Sequence, residues 1–416
     1  MSQFDAIVIG GGPSGSTAGA LLAEQGHRVL LLEREPFPRY HIGESLIPYT
    51  WFTLNRLGVV DWLRQSACPK KYSVQFVSIT GKVSQPFYFF KTIEHECAQT
   101  WQVWRGEFDQ MLLDNAITKG VEVRQHVTVR DVLMEGSRVV GVRADTKDGV
   151  KGEELRAKVV IDASGRDSLL SRKFGWKDRD ADLNKVAVWT YFEGALRDPG
   201  LDEGATTVAY VPNKGWFWYI PMHSNIVSVG VVGEPSYLYR DTRDPAEIFK
   251  READACAWIR DHISVGRQCQ PVRVTGEYSY HSQKIGGDGF CLVGDAFAFL
   301  DPLFSTGVFL GLKSGEMAAD AIHAALSTGD GTVSAAHFDE YYANQRRAVM
   351  SFRHLVRAFY DLSFSFREFL QVYPHLNSLI VDTLVGNVFK DLTPLFAALE
   401  EYKAKNPRTE IDATTA

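Results

Sequence analysis

Apolar runs and helical periodicity alternate over the first part of the chain. Phe4–Ile9 is a β-branched apolar run typical of a buried parallel strand, and a glycine-rich turn follows it. Small residues over 16–25 predict a helix, and the apolar run 27–32 predicts a second buried strand that ends at Glu33. The pattern therefore predicts a strand–helix–strand unit in this part of the chain.

Two other stretches alternate apolar and polar residues, which is the period of half-buried strands. Residues 71–90 predict a hairpin with Gly81 at its turn. Residues 184–233 predict a series of strands at 186–192, 206–211, 216–221 and 226–232. We therefore expect a second sheet that interrupts the first at two points in the chain.

Helical periodicity returns between and after these stretches. Helices are predicted at 44–65, 105–118, 245–262 and 307–326, and the aromatic-rich stretch from 327 to 399 is predicted to be helical. Further short strands are predicted at 121–123, 127–134, 139–144, 159–162, 272–280 and 290–295. The last residues, 401–416, are polar and without period, so we expect a flexible tail there.

The order of these elements predicts the α/β class. We expect a Rossmann-like domain interleaved with a β-sheet domain, followed by a helical C-terminal region. The Rossmann-like domain is assigned to 1–70, 105–180 and 283–326, the β-sheet domain to 71–104 and 181–282, the helical region to 327–400 and the tail to 401–416.

Charge and composition narrow the function classes. The 416 residues carry a formal net charge of -6, with no basic run that would favour nucleic acid or a membrane surface. No signal peptide and no apolar stretch of roughly 18 residues is present, so we expect a cytoplasmic protein without stable membrane insertion. The five cysteines are scattered without metal-type spacing, and we expect reduced thiols and no metal site.

The glycine-rich turn has the dinucleotide pattern Gly10-x-Gly12-x-x-Gly15, and Glu33 lies at the end of the next strand. Glycines let the backbone approach a pyrophosphate, the helix N-terminus favours its charge, and the acidic residue binds ribose hydroxyls. Pro13 and Ser14 belong to the same loop. A glycine turn without a cofactor is the alternative, and the strand–turn–helix context favours the dinucleotide.

Three further segments resemble elements of the flavoprotein hydroxylases, in the same order along the chain. Asp162-Ala-Ser-Gly165 resembles their strand-to-turn element, and Gly294-Asp295 resembles the element whose aspartate meets the ribityl chain. Arg105 matches the arginine that heads a helix in that superfamily. The resemblance implies FAD rather than NAD, bound by a hydroxylase-type Rossmann-like domain, and implies that the β-sheet domain holds the substrate.

The chain has one pattern of this glycine type. Residues 286–289 are also glycine-rich, but they precede a strand, so they indicate a turn and not a second nucleotide site. We therefore expect the flavin to be reduced by transiently docked NAD(P)H or to arrive reduced from a separate flavin reductase.

The hexapeptide that begins at Trp216 matches the WxWxIP element of the flavin-dependent halogenases at each fixed position. In that family this element packs beside the flavin and keeps organic substrate away from it. The resemblance therefore implies a flavin-side barrier formed by Trp216, Trp218, Ile220 and Pro221. An aromatic inner strand without a special role is the alternative.

Residues 299–307 resemble the loop that leads to the flavin ring in the same family. Backbone N–H groups at a helix N-terminus attract anions. The resemblance implies a halide site at Ser305, Thr306 and Gly307, with Pro302 and Gly307 beside the cofactor. A similar loop that only positions the flavin is the alternative. Phe304 replaces a glutamate of the tryptophan-acting branch, which points to the phenol- and pyrrole-acting branches.

The motif Gly43-Glu44-Ser45 precedes the essential lysine of these halogenases, and Lys71 stands at the expected distance. Lys71 matches the family pattern Lys-x-Gly better than Lys70 does, although a serine replaces the glycine. The resemblance implies that Gly43, Glu44 and Ser45 lie at the cofactor and that Lys71 is catalytic. A solvated lysine pair in a turn is the alternative.

The implied reaction uses reduced FAD, dioxygen and chloride or bromide to halogenate an electron-rich aromatic ring. Lys71 then orients hypohalous acid by a hydrogen bond or carries the halogen as a haloamine. A lysine with an ordinary pKa of about 10.4 is charged at neutral pH, and a haloamine needs the neutral amine and hence burial. Sequence leaves both routes open.

Several substrates and two rival reactions remain open at this stage. A free phenol or pyrrole and an acyl group tethered to a carrier protein are all possible substrates, whereas free tryptophan is disfavoured. The rival reactions are direct hydroxylation by an aromatic monooxygenase and reduction of isoprenoid double bonds by a geranylgeranyl reductase-like enzyme. A flavin-bound protein without catalysis is a further alternative.

Overall fold

The computed structural model describes residues 3–211, 215–276, 279–328, 331–361 and 364–406. The strands are β1 (Phe4–Ile9), β2 (Val29–Glu33), β3 (Lys70–Lys71), β4 (Ser73–Val77), β5 (Phe87–Tyr88), β6 (Thr100–Trp101), β7 (Glu122–Gln125), β8 (Val127–Glu135), β9 (Arg138–Thr146), β10 (Glu153–Asp162), β11 (Lys177–Arg179), β12 (Val186–Glu193), β13 (Thr206–Val211), β14 (Gly215–Met222), β15 (Ile226–Gly233), β16 (Arg267–Gln268), β17 (Arg273–Thr275), β18 (Tyr280–Ser282), β19 (Gly286–Gly287), β20 (Phe290–Leu292) and β21 (Ala298–Phe299).

The helices are α1 (Pro13–Glu24), α2 (Thr50–Leu57), α3 (Val60–Gln65), α4 (Arg105–Thr118), α5 (Leu169–Lys173), α6 (Pro235–Leu238), α7 (Pro245–Ala255), α8 (Ala257–Ile263), α9 (Gly307–Ser327), α10 (Asp339–Tyr360), α11 (Phe366–Val372), α12 (Asn377–Val385) and α13 (Thr393–Lys405). Short 3₁₀ turns connect several of them.

The first sheet has the order β19-β20-β10-β1-β2-β7 and carries the nucleotide-type elements. β1 pairs in parallel with β2 and with β10, and β10 pairs in parallel with β20. α1 packs against both α4 and α9. The interior of a parallel sheet is covered on both faces, which explains why β1 and β2 are almost wholly apolar and buried. The predicted α/β class is confirmed.

The second sheet has the order β16-β12-β15-β14-β13-β4-β5, with β17 also paired to β12. Its neighbours are antiparallel except for the parallel pair of β13 and β4. Side chains alternate between two apolar clusters along β14: Trp216, Trp218 and Ile220 belong to one, and Phe217 and Tyr219 to the other. The sheet therefore presents an aromatic face to the rest of the molecule.

Two predicted helices were too long. Residues 245–262 form two helices, α7 and α8, because the backbone at Cys256 is extended (φ -98°, ψ 98°) and begins α8 as its N-cap. In 44–65, helix is confined to α2 and α3. The residues before α2 instead pair with the chain around β6, where Ser45 forms an isolated bridge with Gln102.

The predicted strand at 272–280 is two strands in different sheets. β17 joins the second sheet, whereas β18 pairs with β11 and β21; residues 277 and 278 lie outside the described part. The predicted turn at 286–289 begins with β19, which pairs with β20, and the turn itself is centred on the residues that follow, with Gly289 at φ +77°.

The C-terminal helices pack on one another around an apolar cluster. α13 continues to Lys405, beyond residue 400 where the helical region was predicted to end. The reason is Tyr402, which is 6% exposed and packs against Phe364 and Phe369. The rest of the predicted tail, 407–416, lies outside the described residues. The domain boundaries given above stay a prediction.

No helix in the described ranges is both long and apolar enough to cross a membrane. Within the same ranges no group of three or more histidine, cysteine, aspartate or glutamate side chains could hold a metal ion. All five cysteines are free thiols.

Candidate functional site

A cavity of about 570 Å³ runs from the glycine-rich turn to the aromatic face of the second sheet. The following residues proposed from sequence line it: Gly10, Gly12, Pro13, Ser14, Glu33, Gly43, Glu44, Ser45, Arg105, Gly165, Trp216, Trp218, Ile220, Asp295, Pro302, Ser305 and Gly307. The other six residues proposed from sequence do not line the cavity: Gly15, Lys71, Asp162, Pro221, Gly294 and Thr306.

The glycine-rich turn is shaped for a diphosphate. A Cβ at Gly15 would lie 2.0 Å from the carbonyl oxygen of Gly10, so only glycine allows this close packing. At Gly12 the Cβ would face the cavity, and its nearest neighbour would be the Arg39 guanidinium at 3.4 Å. α1 begins after Gly12 without a side-chain cap. Its first N–H groups are therefore available to an anion.

Hydrogen bonds from nearby backbone N–H groups fix the Glu33 carboxylate at the cavity. Its Oε2 accepts a hydrogen bond from the N–H of Gly11 at 2.7 Å, and Oε1 accepts one from the N–H of Glu35 at 2.9 Å. The carboxylate is held at the carboxyl end of β2, which is where this fold binds the ribose of a dinucleotide. The residues of this end fit an adenine dinucleotide such as FAD.

Some predicted cofactor residues support the cavity from behind. Asp162 is fully buried and accepts hydrogen bonds from the N–H groups of Ser164 and Leu170, so it fixes the turn that carries Gly165. Burial raises the pKa of its carboxyl group. Gly294 lies where a Cβ would be 2.1 Å from the Ser14 hydroxyl. Asp162 and Gly294 therefore shape the backbone around the cavity and do not line it.

Arg105 holds the loop that contains Glu44. Its guanidinium forms two hydrogen bonds to Asp109, of 2.7 and 3.0 Å, and donates to the carbonyls of Ile42 at 2.9 Å and Gly43 at 3.3 Å. Gly43 has φ +106°, a conformation that favours glycine. The arginine therefore fixes this loop at the edge of the cavity.

Glu44 is a buried carboxylate at the centre of a hydrogen-bond chain. Its Oε1 accepts from the Tyr191 hydroxyl at 2.7 Å; that hydroxyl is 2.9 Å from the Tyr40 hydroxyl, which accepts from Trp189 Nε1 at 2.7 Å. Burial raises the pKa of Glu44 to about 7, although the hydroxyls of Tyr191 and Ser228 partly oppose the shift. The carboxyl group is therefore partly protonated near neutral pH.

Lys71 is closed off from the cavity. Its side chain is 1% exposed, and Nζ donates to the Ser45 hydroxyl at 2.8 Å and to the carbonyl of Leu46 at 3.1 Å. The Phe89 ring covers it at 5.7 Å from the ring centroid. Burial lowers the pKa of Lys71 to about 7, so neutral and charged forms coexist near neutral pH. The solvated-turn alternative applies to the exposed Lys70, and not to Lys71.

The predicted halide loop ends in an uncapped helix. Ser305 has φ +58°, and α9 begins at Gly307 with no side-chain cap from Thr306. A Cβ at Gly307 would meet no atom within 4 Å, and Gly307 itself lines the cavity. The Thr306 side chain is buried. Only the backbone of this residue can take part in an anion site.

Asp301 anchors the same loop to the C-terminal helices. It is buried and accepts hydrogen bonds from the N–H of Leu303 at 3.1 Å and from the Tyr360 hydroxyl at 2.7 Å. Burial raises the pKa of Asp301 to about 6. Tyr360 also accepts a hydrogen bond from Trp216 Nε1 at 2.7 Å. One hydroxyl thus joins the loop, the aromatic strand β14 and α10.

Three of the four residues predicted to form the flavin-side barrier line the cavity, and the barrier itself stays a prediction. Trp216, Trp218 and Ile220 share the face of β14 that borders the cavity. Pro221 is one residue out of that alternation and faces away, because successive side chains of a strand point to opposite faces. Gly230 on β15 makes room for the Trp218 ring, since a Cβ there would lie 2.3 Å from it.

Several lining residues carried no recognisable signal in the sequence. Tyr40, His41, Trp189, Arg166 and Arg273 line the cavity but belong to no motif. Burial and the nearby Arg105 lower the pKa of His41 to about 4, so this ring is neutral. Only the proximity of Tyr40 and His41 to the glycine at 43 could have drawn attention to them.

The chain matches the sequence model of the tryptophan halogenase family over residues 5–104 and 79–366. It is 31% identical to a 1H-pyrrole-2-carbonyl-[peptidyl-carrier protein] chlorinase of Pseudomonas fluorescens, over 93% of this chain and 90% of the chlorinase. It is 32% identical to the corresponding brominase of Pseudoalteromonas luteoviolacea, over 97% of this chain and 99% of the brominase.

A longer relative and a solved structure complete the comparison. The tryptophan 2-halogenase of Chondromyces crocatus is 31% identical over 87% of this chain, but the match covers only 69% of that enzyme. The crystal structure of the flavin-dependent brominase Bmp2 superimposes with a TM-score of 0.87 and 29% identity, over 97% of this chain and 99% of Bmp2.

Proposed function

The chain belongs to the tryptophan halogenase family and is a flavin-dependent halogenase, and we propose that it halogenates an electron-rich aromatic ring tethered to a carrier protein. FAD, a halide ion and dioxygen are the cofactor and co-substrates of this reaction. The family resemblance identified from the sequence is confirmed. Direct hydroxylation and isoprenoid reduction are accordingly not the favoured reactions.

Residues at the two ends of the cavity have separate roles. Gly12 and the N-terminus of α1 would hold the diphosphate of FAD, and Glu33 would hold the ribose. When bound, FAD supplies the redox chemistry that oxidises halide. The uncapped N–H groups at Gly307 would bind that halide. Trp216 and Trp218 would separate this region from the organic substrate.

Lys71 is the residue we assign to the transfer of the oxidised halogen. With a pKa near 7, part of the lysine is charged and can donate hydrogen bonds, and part is neutral and nucleophilic. The position of Nζ behind Ser45 favours hydrogen bonding, because the amine does not itself line the cavity. Tight burial keeps water from competing for it.

The similarity to carrier-dependent enzymes supports a carrier-bound substrate. The matches to the pyrrolyl-carrier-protein chlorinase and brominase cover 90% and 99% of those enzymes, whereas the match to the tryptophan 2-halogenase covers 69% of that enzyme. Phe304 stands where the tryptophan-acting branch has a glutamate. A separate flavin reductase as partner and a cytoplasmic location stay predictions.

Mass spectrometry of the products would test this function. The purified protein would receive FAD, a flavin reductase, NADH, chloride or bromide, and pyrrolyl or phenolic acyl groups loaded on a carrier protein. We expect a halogen isotope pattern on the carrier-bound acyl group and at least tenfold less on the matched free acids. Equal halogenation of the free acids would contradict the carrier proposal, and halide-independent oxygen insertion would contradict halogenation.

A further inference from the structure

Ser45 lies between Lys71 and the cavity. The segment 100–103 pairs with two other parts of the chain. Thr100 pairs with Lys71 of β3, and Gln102 forms an isolated bridge with Ser45. This arrangement places Nζ of Lys71 2.8 Å from the Ser45 hydroxyl. Ser45 lines the cavity, and Lys71 does not. Any effect of the lysine on a molecule in the cavity must therefore pass through its neighbours.

The hydrogen bonds around Ser45 have a defined direction at their outer end. Gln102 Nε2 donates a hydrogen bond to the carbonyl of Gly204 at 2.9 Å, because a carbonyl oxygen can only accept. The same nitrogen donates to the Thr206 hydroxyl at 2.9 Å. Thr206 is in turn 2.9 Å from the Ser45 hydroxyl and also lines the cavity.

Lys71 determines where the remaining hydroxyl proton points. The ammonium form can only donate to Ser45, so the two hydroxyls of Ser45 and Thr206 keep one O–H without an acceptor among the described residues. When Thr206 donates to Ser45, the remaining O–H is that of Ser45, a residue that lines the cavity. The neutral amine can instead accept the Ser45 proton, and then the Thr206 proton satisfies Ser45. In that state neither hydroxyl offers a donor to the cavity.

We propose that the Ser45 hydroxyl is the positioning group through which Lys71 acts, presenting a hydrogen-bond donor to the oxidised halogen in the cavity only while the lysine is charged. The inference rests on the halogenase function proposed above and adds a residue to it. Glu44 precedes Ser45 but its carboxyl group is directed to Tyr191, so it is not part of this chain of hydrogen bonds.

No charged group competes for the lysine. Lys71 forms no ion pair within the described ranges, and burial is the cause of its lowered pKa. Its surroundings are the hydroxyl of Ser45, the carbonyl of Leu46, the ring of Phe89 and Thr100 on the paired strand. A change in the charge of Lys71 therefore acts mainly on its hydrogen bonds to the Ser45 hydroxyl and the Leu46 carbonyl.

The test replaces Ser45 by alanine in the full-length protein and measures halogenation against pH. In the wild type we expect activity to fall as pH rises through about 7. We expect Ser45→Ala to lower product formation at least tenfold at pH 6.5 and to remove that pH dependence. Ser45→Thr keeps the hydroxyl and should retain at least a third of the activity with the wild-type pH profile. Ser171→Ala, which removes a buried hydroxyl without a hydrogen-bond partner, is the matched control.

A second measurement does not depend on turnover. The pKa of the buried Lys71 amine is measured by NMR titration of the FAD-free protein, labelled at lysine, between pH 5 and pH 10. Ser45→Ala should lower that pKa, because it removes an acceptor of the ammonium form. Ser171→Ala should leave it unchanged.

The outcomes separate the inference from the proposed function. If wild type makes no halogenated product, the function is wrong, and the titration of Lys71 alone decides whether Ser45 and Lys71 are coupled. An active Ser45→Ala with the wild-type pH profile overturns the inference, as does an unchanged lysine pKa. Loss of activity in Ser45→Ala that Ser45→Thr fails to restore also overturns it, because the hydroxyl would then not be the functional group.

Discussion

The nucleotide end of the cavity and its lysine end are built in different ways. At the end that we propose for the nucleotide, the candidate binding groups are backbone N–H groups and a carboxylate, placed by glycines within one strand–turn–helix unit. At the lysine end they are side chains from separate segments, and Lys71 is sealed behind Ser45. The first end is open, and its N–H groups are available to an anion. The second end is closed, and in our proposal its hydrogen bonds to the cavity depend on whether Lys71 is protonated.

The strongest test of this contrast is Gly12→Val, which changes only the open end. The new side chain would enter the cavity, where its nearest neighbour is the flexible Arg39, so we expect a folded protein that has lost FAD binding by more than about 100-fold. Flavin absorbance after gel filtration measures this. Gly19→Ala on the same helix is the control, since its Cβ would make ordinary contacts with Val121 and Val29 at 3.5–3.8 Å. Normal flavin content in Gly12→Val would refute the assignment of the diphosphate site.

Lys71→Met is the corresponding change at the closed end. We expect halogenation to fall at least 100-fold while FAD still binds, because the side chain lies outside the nucleotide cradle. Lys70→Met, at the exposed neighbour, should retain activity. If Lys71→Met keeps its halogenation, the lysine has no role in transfer. Loss of flavin in the same variant would mean that the two ends are not independent.

The same variant sharpens the comparison through its stability. Between about pH 7 and pH 10.5 the unfolded chain binds a proton at Lys71 that the folded chain has released. Wild type should therefore gain stability relative to Lys71→Met as pH rises across this window. Urea unfolding at several pH values measures the difference, and a pH-independent difference would show that the lysine keeps its ordinary pKa.

Tyr360→Phe tests how the C-terminal helices fix the aromatic side of the cavity. The change leaves Trp216 Nε1 and one oxygen of Asp301 without their buried partner. We expect a loss of about 1–3 kcal/mol in the free energy of unfolding. Denaturant titration measures it, with Tyr342→Phe on the same helix as control. An unchanged stability would indicate that water replaces the missing hydroxyl.

The smallest effect is expected from Glu44→Gln. Because burial raises the pKa of Glu44 from 4.5 to about 7, the folded chain binds more protons than the unfolded chain in this range. Wild type should lose stability relative to Glu44→Gln as pH rises from about 4.5 through 7, since stabilisation by the protonated form is then lost. Thermal unfolding at matched pH values tests this, and the opposite slope would contradict it.

The contrast also explains what sequence could predict. The nucleotide end depends on contiguous residues, so Gly10, Gly12, Glu33 and the bounds of β1 and α4 were predictable from pattern alone. The role proposed for Lys71 was inferred from family resemblance. Its burial could not be predicted, because that burial depends on pairing with the chain around Thr100. The chain of hydroxyls from Glu44 to Tyr40 joins segments with no common spacing.

Failed details have equally local causes. The helix predicted over 44–65 begins only at Thr50. The residues before it are extended and pair with the chain after β6, a long-range contact that periodicity does not report. Pro221 was included in the barrier because it belongs to the hexapeptide, although strand alternation directs it away. The cofactor role of Asp162 stays a prediction; its carboxylate accepts hydrogen bonds from the N–H groups of Ser164 and Leu170, which periodicity does not report.

The order of the first sheet has a consequence for synthesis of the protein. β1 lies between β2, which follows it closely, and β10, which ends at Asp162. A nascent chain therefore carries an unpaired apolar edge on β1 until β10 has left the ribosome, and the sheet grows further only when β20 appears. Such long-range parallel pairing is slow and exposes the chain to aggregation. Slower translation or a lower growth temperature should therefore raise the yield of soluble recombinant protein.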